Sequence, residues 1–244
     1  YGHGAVPVAQ TALASGATRL AVARTDEGVE LRRAGLTAPI LIMTYTLPAE
    51  AEQIVAHDLT ATVNTIEGAE AIAHQARAMG KTASVHIKVE TGMGRYGLLP
   101  EELVPFLNHV RALPGLELEG IFTHFAVADS ADKSYTRDQF ARFQAALSEA
   151  EQAGFRFPIR HAANSAATLD LPDTYLDAVR PGIILYGLYP SPDVSRLVAL
   201  RPVLSLRSHA GRVRVLPAGS SVGYGRTFTA RRPTRVVLVP VGYG

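Results

Sequence analysis

The sequence predicts an α/β protein: a TIM-type (β/α)8 barrel lacking its first strand, followed by the start of a β-rich C-terminal domain. Three observations carry this. Short β-branched runs alternate with amphipathic helical patterns up to residue 187, polar residues collect at the carboxyl ends of those runs, and after residue 203 only strand patterns remain. The strand candidates are RLAVA (19–23), PILIMTY (39–45), TATVN (60–64), SVHIKVE (84–90), LEGIFTH (118–124), IRHAANS (159–165) and AVRPGIILYG (178–187). Between them lie DEGVELRRAGL, LPAEAEQIVAHD, TIEGAEAIAHQARAMG, LPEELVPFLNHV and SYTRDQFARFQAALSEAEQAG. Several of these start at Asp, Thr or Pro and stop at Gly, as helix caps do. Strand–helix repetition of this kind selects a parallel sheet with right-handed crossovers.

The helical pattern VPVAQTALASGA (6–17) has no strand before it, so the missing first strand of the eight is expected upstream of Tyr1. The barrel is expected over 1–190. Proline-punctuated text without periodicity, LYPSPDVSRLVALRP, marks a linker at 191–202. The stretches VLSLRSHAGRVRVLPAG, SSVGYGRTFTA and TRVVLVPVGYG open a β domain over 203–244 that stops mid-pattern.

With 244 residues, 47% of them hydrophobic, the chain can bury a large core. A formal net charge of +2 disfavours nucleic acid, and the densest basic stretch, Arg231-Arg232-Pro233 with Arg235, has no stacking aromatics interleaved. There is no cysteine, hence no disulfide or thiolate metal site, and no apolar run reaches the ~18 residues of a membrane span. No signal peptide is visible. A reducing, cytoplasmic setting without membrane partners is expected. His57, His74 and His109 sit in helical patterns without metal-ligand spacing, so no metal site is expected.

Reactive groups of such barrels gather at the carboxyl ends of the strands. Tyr1, His3, His86, Lys88, Arg95, His124, His161, Asn164, Ser165 and Arg180 all fall late in a strand candidate or just beyond one. In SVHIKVE, alternation puts His86, Lys88 and Glu90 on one face and Val85, Ile87 and Val89 on the other, so the polar face points into the barrel. HAANSAATL places Asn164 and Ser165 where a strand becomes a helix, a pattern that suits an ordinary N-cap or a phosphate cradle. RPGIILYG supplies a second glycine loop at the next strand position. Phosphate sites often form from the loops after strands seven and eight, which favours a phosphate-bearing ligand.

Taken together, YGHG (1–4), HIKVETGMGRYG (86–97), EGIFTHFAVAD (119–129), HAANSAATL (161–169), VRPGIILYGLYPSP (179–192) and SVGYGRTFTA (221–230) resemble the alanine racemases, barrel-type pyridoxal-phosphate enzymes, in family order along the whole chain. The resemblance implies an isomerase that interconverts L- and D-alanine by two-base proton transfer and supplies D-alanine for peptidoglycan. It implies pyridoxal 5'-phosphate as cofactor, alanine as substrate, and a homodimer whose sites are shared between subunits. In the family the Schiff-base lysine precedes YGHG, so the isolated 244-residue chain is expected to be inactive. Two other readings are a non-catalytic vitamin B6 carrier and a barrel-type decarboxylase of basic amino acids. The appended β domain disfavours the first, and TGMGRYG with SVGYGRT disfavours the second.

Carried onto this chain, the resemblance gives Tyr1 and Ser165 to the phosphate, with Asn164 and the backbone at Gly182 and Ile183 beside them. Arg180 meets the pyridine nitrogen, His124 packs on the cofactor ring, and Arg95 clamps the substrate carboxylate. Tyr224 is the base supplied by the partner subunit, and Tyr243 is a lesser active-site position. Members of the family often carry a carboxylated lysine at the position of Lys88, so the resemblance implies carboxylation there, which would replace a second cation close to Arg95 by an anion that orients it.

Overall fold

The computed structural model describes residues 1–242 and divides into two units, 1–202 and 203–244; Tyr243 lies outside the described residues. The first unit runs α1 (Ala5–Ala14), β1 (Leu20–Val22), α2 (Thr25–Arg33), β2 (Ile40–Ile42), α3 (Ala51–Ala56), β3 (Ala61–Val63), α4 (Ile66–Ala78), β4 (Ala83–Lys88), α5 (Pro100–Arg111), β5 (Leu116–Phe122), α6 (Ser134–Gln152), β6 (Ile159–His161) and α7 (Ser165–Asp170). The expected alternation of strand and helix is therefore observed.

The strands pair in parallel in sequence order. β1 pairs with β2, β3 to β6 form a continuous four-stranded sheet, and a bridge between Leu41 and Thr60 joins the two sets. Curvature follows from one ion pair. Four strand spacings would separate β1 from β5 by roughly 19 Å in a flat sheet, yet Arg19, at the foot of β1, reaches Glu119 of β5 at 2.7 Å. The sheet is rolled, and that pair crosses its floor.

Helices close the outside because their apolar residues recur every three or four positions. Ala69, Ile72 and Ala76 of α4, and Leu103, Phe106, Leu107 and Val110 of α5, are buried in the same core as Ile40, Val85, Ile87 and Ile121 of the strands. Thr65 caps α4 by accepting a bond from the Gly68 amide at 3.2 Å. Among the described residues, no helix is long and apolar enough to cross a membrane.

The expected strand AVRPGIILYG needs correction. AVRPGIILYG is not a full strand: it pairs with β6 only through a bridge at Ala178, and Ile183–Tyr186 form a 3-10 turn. Pro181 offers no N–H to extend the ladder, and the tight bonds Leu185 N–H to Gly182 O and Gly187 N–H to Ile184 O take over. The linker text 191–202 belongs to the first unit, tied down by Ser191 Oγ donating to Asp129 O (2.5 Å) and Ser195 N–H donating to Asp170 (2.9 Å), with Val194 buried.

The second unit holds β7 (Arg212–Leu216) paired antiparallel with β10 (Thr234–Leu238), and a small hairpin of β8 (Ser221–Val222) with β9 (Phe228–Thr229). VLSLRSHA, expected as strand, pairs with no strand among the described residues; its alternation alone cannot satisfy backbone groups that need a neighbouring strand or water.

Candidate active site

Arg180 is the centre of the constellation at the carboxyl ends of the strands. Its NH1 donates to His161 Nδ1 at 2.6 Å. Its NH2 donates to the carbonyls of Thr123 (2.8 Å) and Ala162 (2.9 Å) and lies 3.4 Å from His124 Nδ1. The guanidinium lies over the Phe122 ring, with 5.3 Å from Cζ to the ring centroid. Burial lowers its pKa to about 10, so it remains a cation at neutral pH. Arg180 Nε is the exception: it is buried and has no partner among the described residues.

Beside it, His124 is pushed down to about 3, first by burial and then by Arg180, Arg95 and Lys88. It is therefore a neutral imidazole, able to pack on a flat ring or pass on a hydrogen bond, and no cation.

Lys88 ends β4 and is almost wholly buried, at 1% exposure. Its Nζ has no hydrogen-bond partner among the described residues and sits 3.5 Å from the centroid of the Tyr96 ring. Arg95 Cζ lies 5.2 Å from that same centroid, so the tyrosine has a cation on either account. Burial, reinforced by Arg95, lowers the Lys88 amine to about 8. Strand alternation and the short spacing from Lys88 to Arg95 predict these two neighbouring cations but not Tyr96, whose hydroxyl donates to Met43 O across the barrel mouth.

The loop carrying Arg95 is built on Glu90. Its carboxylate accepts the amides of Gly92 and Met93, each at 2.6 Å, and of Arg95 at 3.3 Å. Burial works against ionisation there, but these backbone donors win and hold the carboxyl below its ordinary pKa. Glu90 thus turns back onto the loop instead of into the barrel. The loop returns through Gly97 at φ 130°, where a Cβ would press on the backbone of Lys88, Val89 and Glu90 at 3.1–3.3 Å.

At the other end of the mouth, Ser165 Oγ accepts the Gly182 amide at 2.7 Å, which leaves its own O–H free to donate outward. A Cβ on Gly182 would stand 2.8 Å from the Tyr1 hydroxyl. Glycine lets the backbone amides come that close, and Tyr1, Ser165, Gly182 and Ile183 form one cluster. Asn164 takes the capping alternative: its Oδ1 accepts the Ala167 amide (3.1 Å) and its Nδ2 donates to Phe125 O (3.4 Å), so its side chain serves α7. Tyr224 stands on the second unit with 96% of its surface exposed, in a turn with Gly223 and Gly225 at positive φ. A separate cleft of about 440 Å³, bordered by Arg24, Asp26, Tyr45 and Glu50, contains none of the expected site residues.

Residues 1–190 match the family profile of the alanine racemase N-terminal domain, and residues 203–244 match that of the C-terminal domain. The chain belongs to the alanine racemase family. The alanine racemase of Desulforamulus reducens is 50% identical over 245 residues, covering 100% of this chain and 66% of that protein. The solved alanine racemase of Clostridium difficile 630 superposes with a TM-score of 0.93 at 41% identity, over 100% of this chain and 64% of that one. A histidine racemase from Leuconostoc mesenteroides also superposes, with a TM-score of 0.86 at 31% identity, over 98% of this chain and 64% of its own. The chain thus spans just under two thirds of these alanine racemases' length. Solved members of the family carry the barrel and the β-rich C-terminal domain, as the sequence predicts.

Proposed function

We propose that the full-length protein carrying this chain is an alanine racemase dependent on pyridoxal 5'-phosphate, acting as a cytoplasmic homodimer that takes Tyr224 from the partner subunit. The observation that carries this reading is the free Arg180 Nε–H. A buried donor without a partner costs about 1–3 kcal/mol, and a pyridine nitrogen is an acceptor of the right kind to satisfy it. The residues present fit the cofactor at its other end too. The Ser165 and Tyr1 hydroxyls, with the Ile183 amide, offer donors suited to a phosphate dianion; the Gly182 amide, bonded to Ser165 Oγ, aims that hydroxyl outward, and the Asn164 cap fixes the helix that carries Ser165.

The cofactor, when bound, withdraws electron density from the α-carbon of an amino acid and so acidifies its α-proton. The chain's own residues do the rest. Arg180 holds its proton far more tightly than a pyridine nitrogen does, so it donates a hydrogen bond without handing the proton over, which keeps electron withdrawal moderate and disfavours side reactions. Arg95 presents a planar fork to the substrate carboxylate. His124, neutral, fills the space between the ring and Arg180. Tyr224 Oη holds and moves the proton on one side of the α-carbon. An exposed tyrosine on a two-glycine turn is free to enter a neighbouring subunit's site. The β-rich unit favours this reading over a B6 carrier, and its match to the racemase C-terminal domain favours it over a decarboxylase.

The test uses the full-length protein with pyridoxal phosphate and L-alanine, L-serine and L-histidine, followed by chiral chromatography. Alanine is expected to racemise fastest. Faster serine or histidine would overturn the substrate, and no racemisation of any would overturn the enzyme.

Lys88 belongs to the same proposal as a carboxylated residue. An amine near pKa 8 is partly neutral at physiological pH. Its lone pair adds to carbon dioxide, an N–C bond forms, and a proton leaves to solvent. The resulting carbamate is an anion beside Arg95 that replaces repulsion with attraction and presents two acceptor oxygens to the guanidinium. With 13C-bicarbonate, one carbamate NMR signal per chain is expected, lost in Lys88→Arg. A bare ammonium at neutral pH in a well-ordered crystal would refute it.

A further inference from the structure

The barrel floor carries a buried polar chain that the proposed chemistry does not itself use. Glu119 of β5 accepts from Arg19 NH1 at 2.7 Å, and its second oxygen lies 3.1 Å from His86 Nε2. His86 Nδ1 lies 2.8 Å from His161 Nε2, and His161 Nδ1 lies 2.6 Å from Arg180 NH1. Thr60 Oγ1 approaches the carboxylate at 3.5 Å. His86, Glu119 and His161 sit on β4, β5 and β6, Arg19 and Thr60 immediately precede β1 and β3, and Arg180 follows β6, so the chain runs from the barrel's foot to its mouth. The chain has a built place: Gly120 has no side chain, and the His86 ring occupies the space a Cβ there would need. The His161 ring stacks on Phe122, centroids 4.8 Å apart and planes at 10°.

The end groups fix every proton between them. A guanidinium only donates and a carboxylate only accepts. Arg180 therefore makes His161 Nδ1 an acceptor. If His161 is neutral, its proton is on Nε2, which makes His86 Nδ1 an acceptor in turn and puts the His86 proton on Nε2, facing Glu119. Both rings are held neutral, chiefly by burial: His161 well below its ordinary value and His86 below it despite the nearby carboxylate. Glu119 is the anion, lowered to about 2 by the His86 hydrogen bond and by Arg19 against the opposing effect of burial. Every bond thus points from Arg180 toward Glu119.

We propose that Glu119 is a positioning residue for Arg180: through one-way hydrogen bonds across His86 and His161, it fixes the guanidinium with Nε–H left over for the cofactor nitrogen. This rests on the reading of Arg180 given above. Without the relay's direction, NH1 would meet a donor, and the guanidinium would turn.

The polarity yields a test in the full-length holoenzyme labelled with 15N-histidine. At neutral pH, His86 and His161 are expected to show the Nε2–H neutral tautomer; an imidazolium or an Nδ1–H tautomer at either overturns the relay. In Glu119→Gln, the single amide oxygen is claimed by the charged Arg19 and the NH2 group faces His86. Both histidines are expected to switch to Nδ1–H, placing N–H against N–H at Arg180. Cofactor dissociation should rise about ten- to a hundredfold, the scale of one opposed charged hydrogen bond. Adding Arg19→Met frees the amide oxygen to accept from His86, so the double variant is expected to recover the Nε2–H pattern and cofactor affinity to within about threefold. A merely structural ion pair is absent from both variants, so a double variant no better than the single one overturns the proposal. Should Glu119→Gln fail to fold, the tautomers of the unsubstituted protein decide. If those are as expected while alanine is not racemised, the functional reading fails and the relay stands.

Discussion

Arg180→Leu in the full-length protein is expected to lower kcat/KM by about 10³-fold and to loosen the cofactor. Removal of one preorganised donor from a reacting centre costs about 10²–10³-fold, and this change removes the Nε–H donor together with the groups that hold His161 and the carbonyls of Thr123 and Ala162. Those three acceptors are left without their donor, so a stability loss of about 2–4 kcal/mol should accompany the kinetic effect. Chemical denaturation of the cofactor-free protein reads the second quantity, and steady-state racemisation at saturating cofactor reads the first. Arg180→Lys separates them: an ammonium can replace one or two of the four contacts but cannot present an Nε–H in the guanidinium plane. It is expected to regain at least half of the lost stability and little of the lost rate. Recovery of rate in step with stability would mean that Arg180 matters only for folding.

Much of this site was legible because strand alternation is a strict period of two. SVHIKVE alone says that His86 and Lys88 share a face, and both prove buried on the inside of the rolled sheet. The alternation of strands and helices likewise fixed the order of the parallel sheet. Glu119 was not legible as a functional position. It lies mid-strand at the floor, away from the carboxyl ends where reactive groups gather, and its partners Arg19 and His86 are 100 and 33 positions distant. Such pairings depend on how far the sheet rolls, which no local pattern encodes. Two smaller signals were available. Gly120 inside an otherwise regular strand marks a place where something approaches closely, and it proves to be the His86 ring. Pro181-Gly182 inside AVRPGIILYG was a warning against a strand, and the 3-10 turn at Ile183–Tyr186 is the result. Glu90 shows the limit of alternation: its place on the strand follows the pattern, but the carboxylate folds back because the amides of Gly92, Met93 and Arg95 turn toward it.

Tyr224→Phe, again in the full-length protein, is expected to slow racemisation by about 10²–10⁴-fold, the range of a general acid–base group, with an asymmetry that only one observable exposes. L- and D-alanine are mirror images in an achiral solvent, so their equilibrium constant is one and kcat/KM for conversion must fall equally in both directions. Exchange of the α-proton with solvent carries no such constraint. If Tyr224 Oη serves the L-enantiomer's proton and a different group serves the opposite face, then wash-in of deuterium from solvent should collapse for L-alanine and persist for D-alanine. Phenylalanine preserves the ring on a turn where Tyr224 is already 96% exposed, so folding stability should change by less than about 0.5 kcal/mol. Proton NMR of the alanine α-position in D2O measures both exchange rates from one sample pair. Equal slowing of the two would remove Tyr224 from the single-face role and make it a residue that shapes the site as a whole.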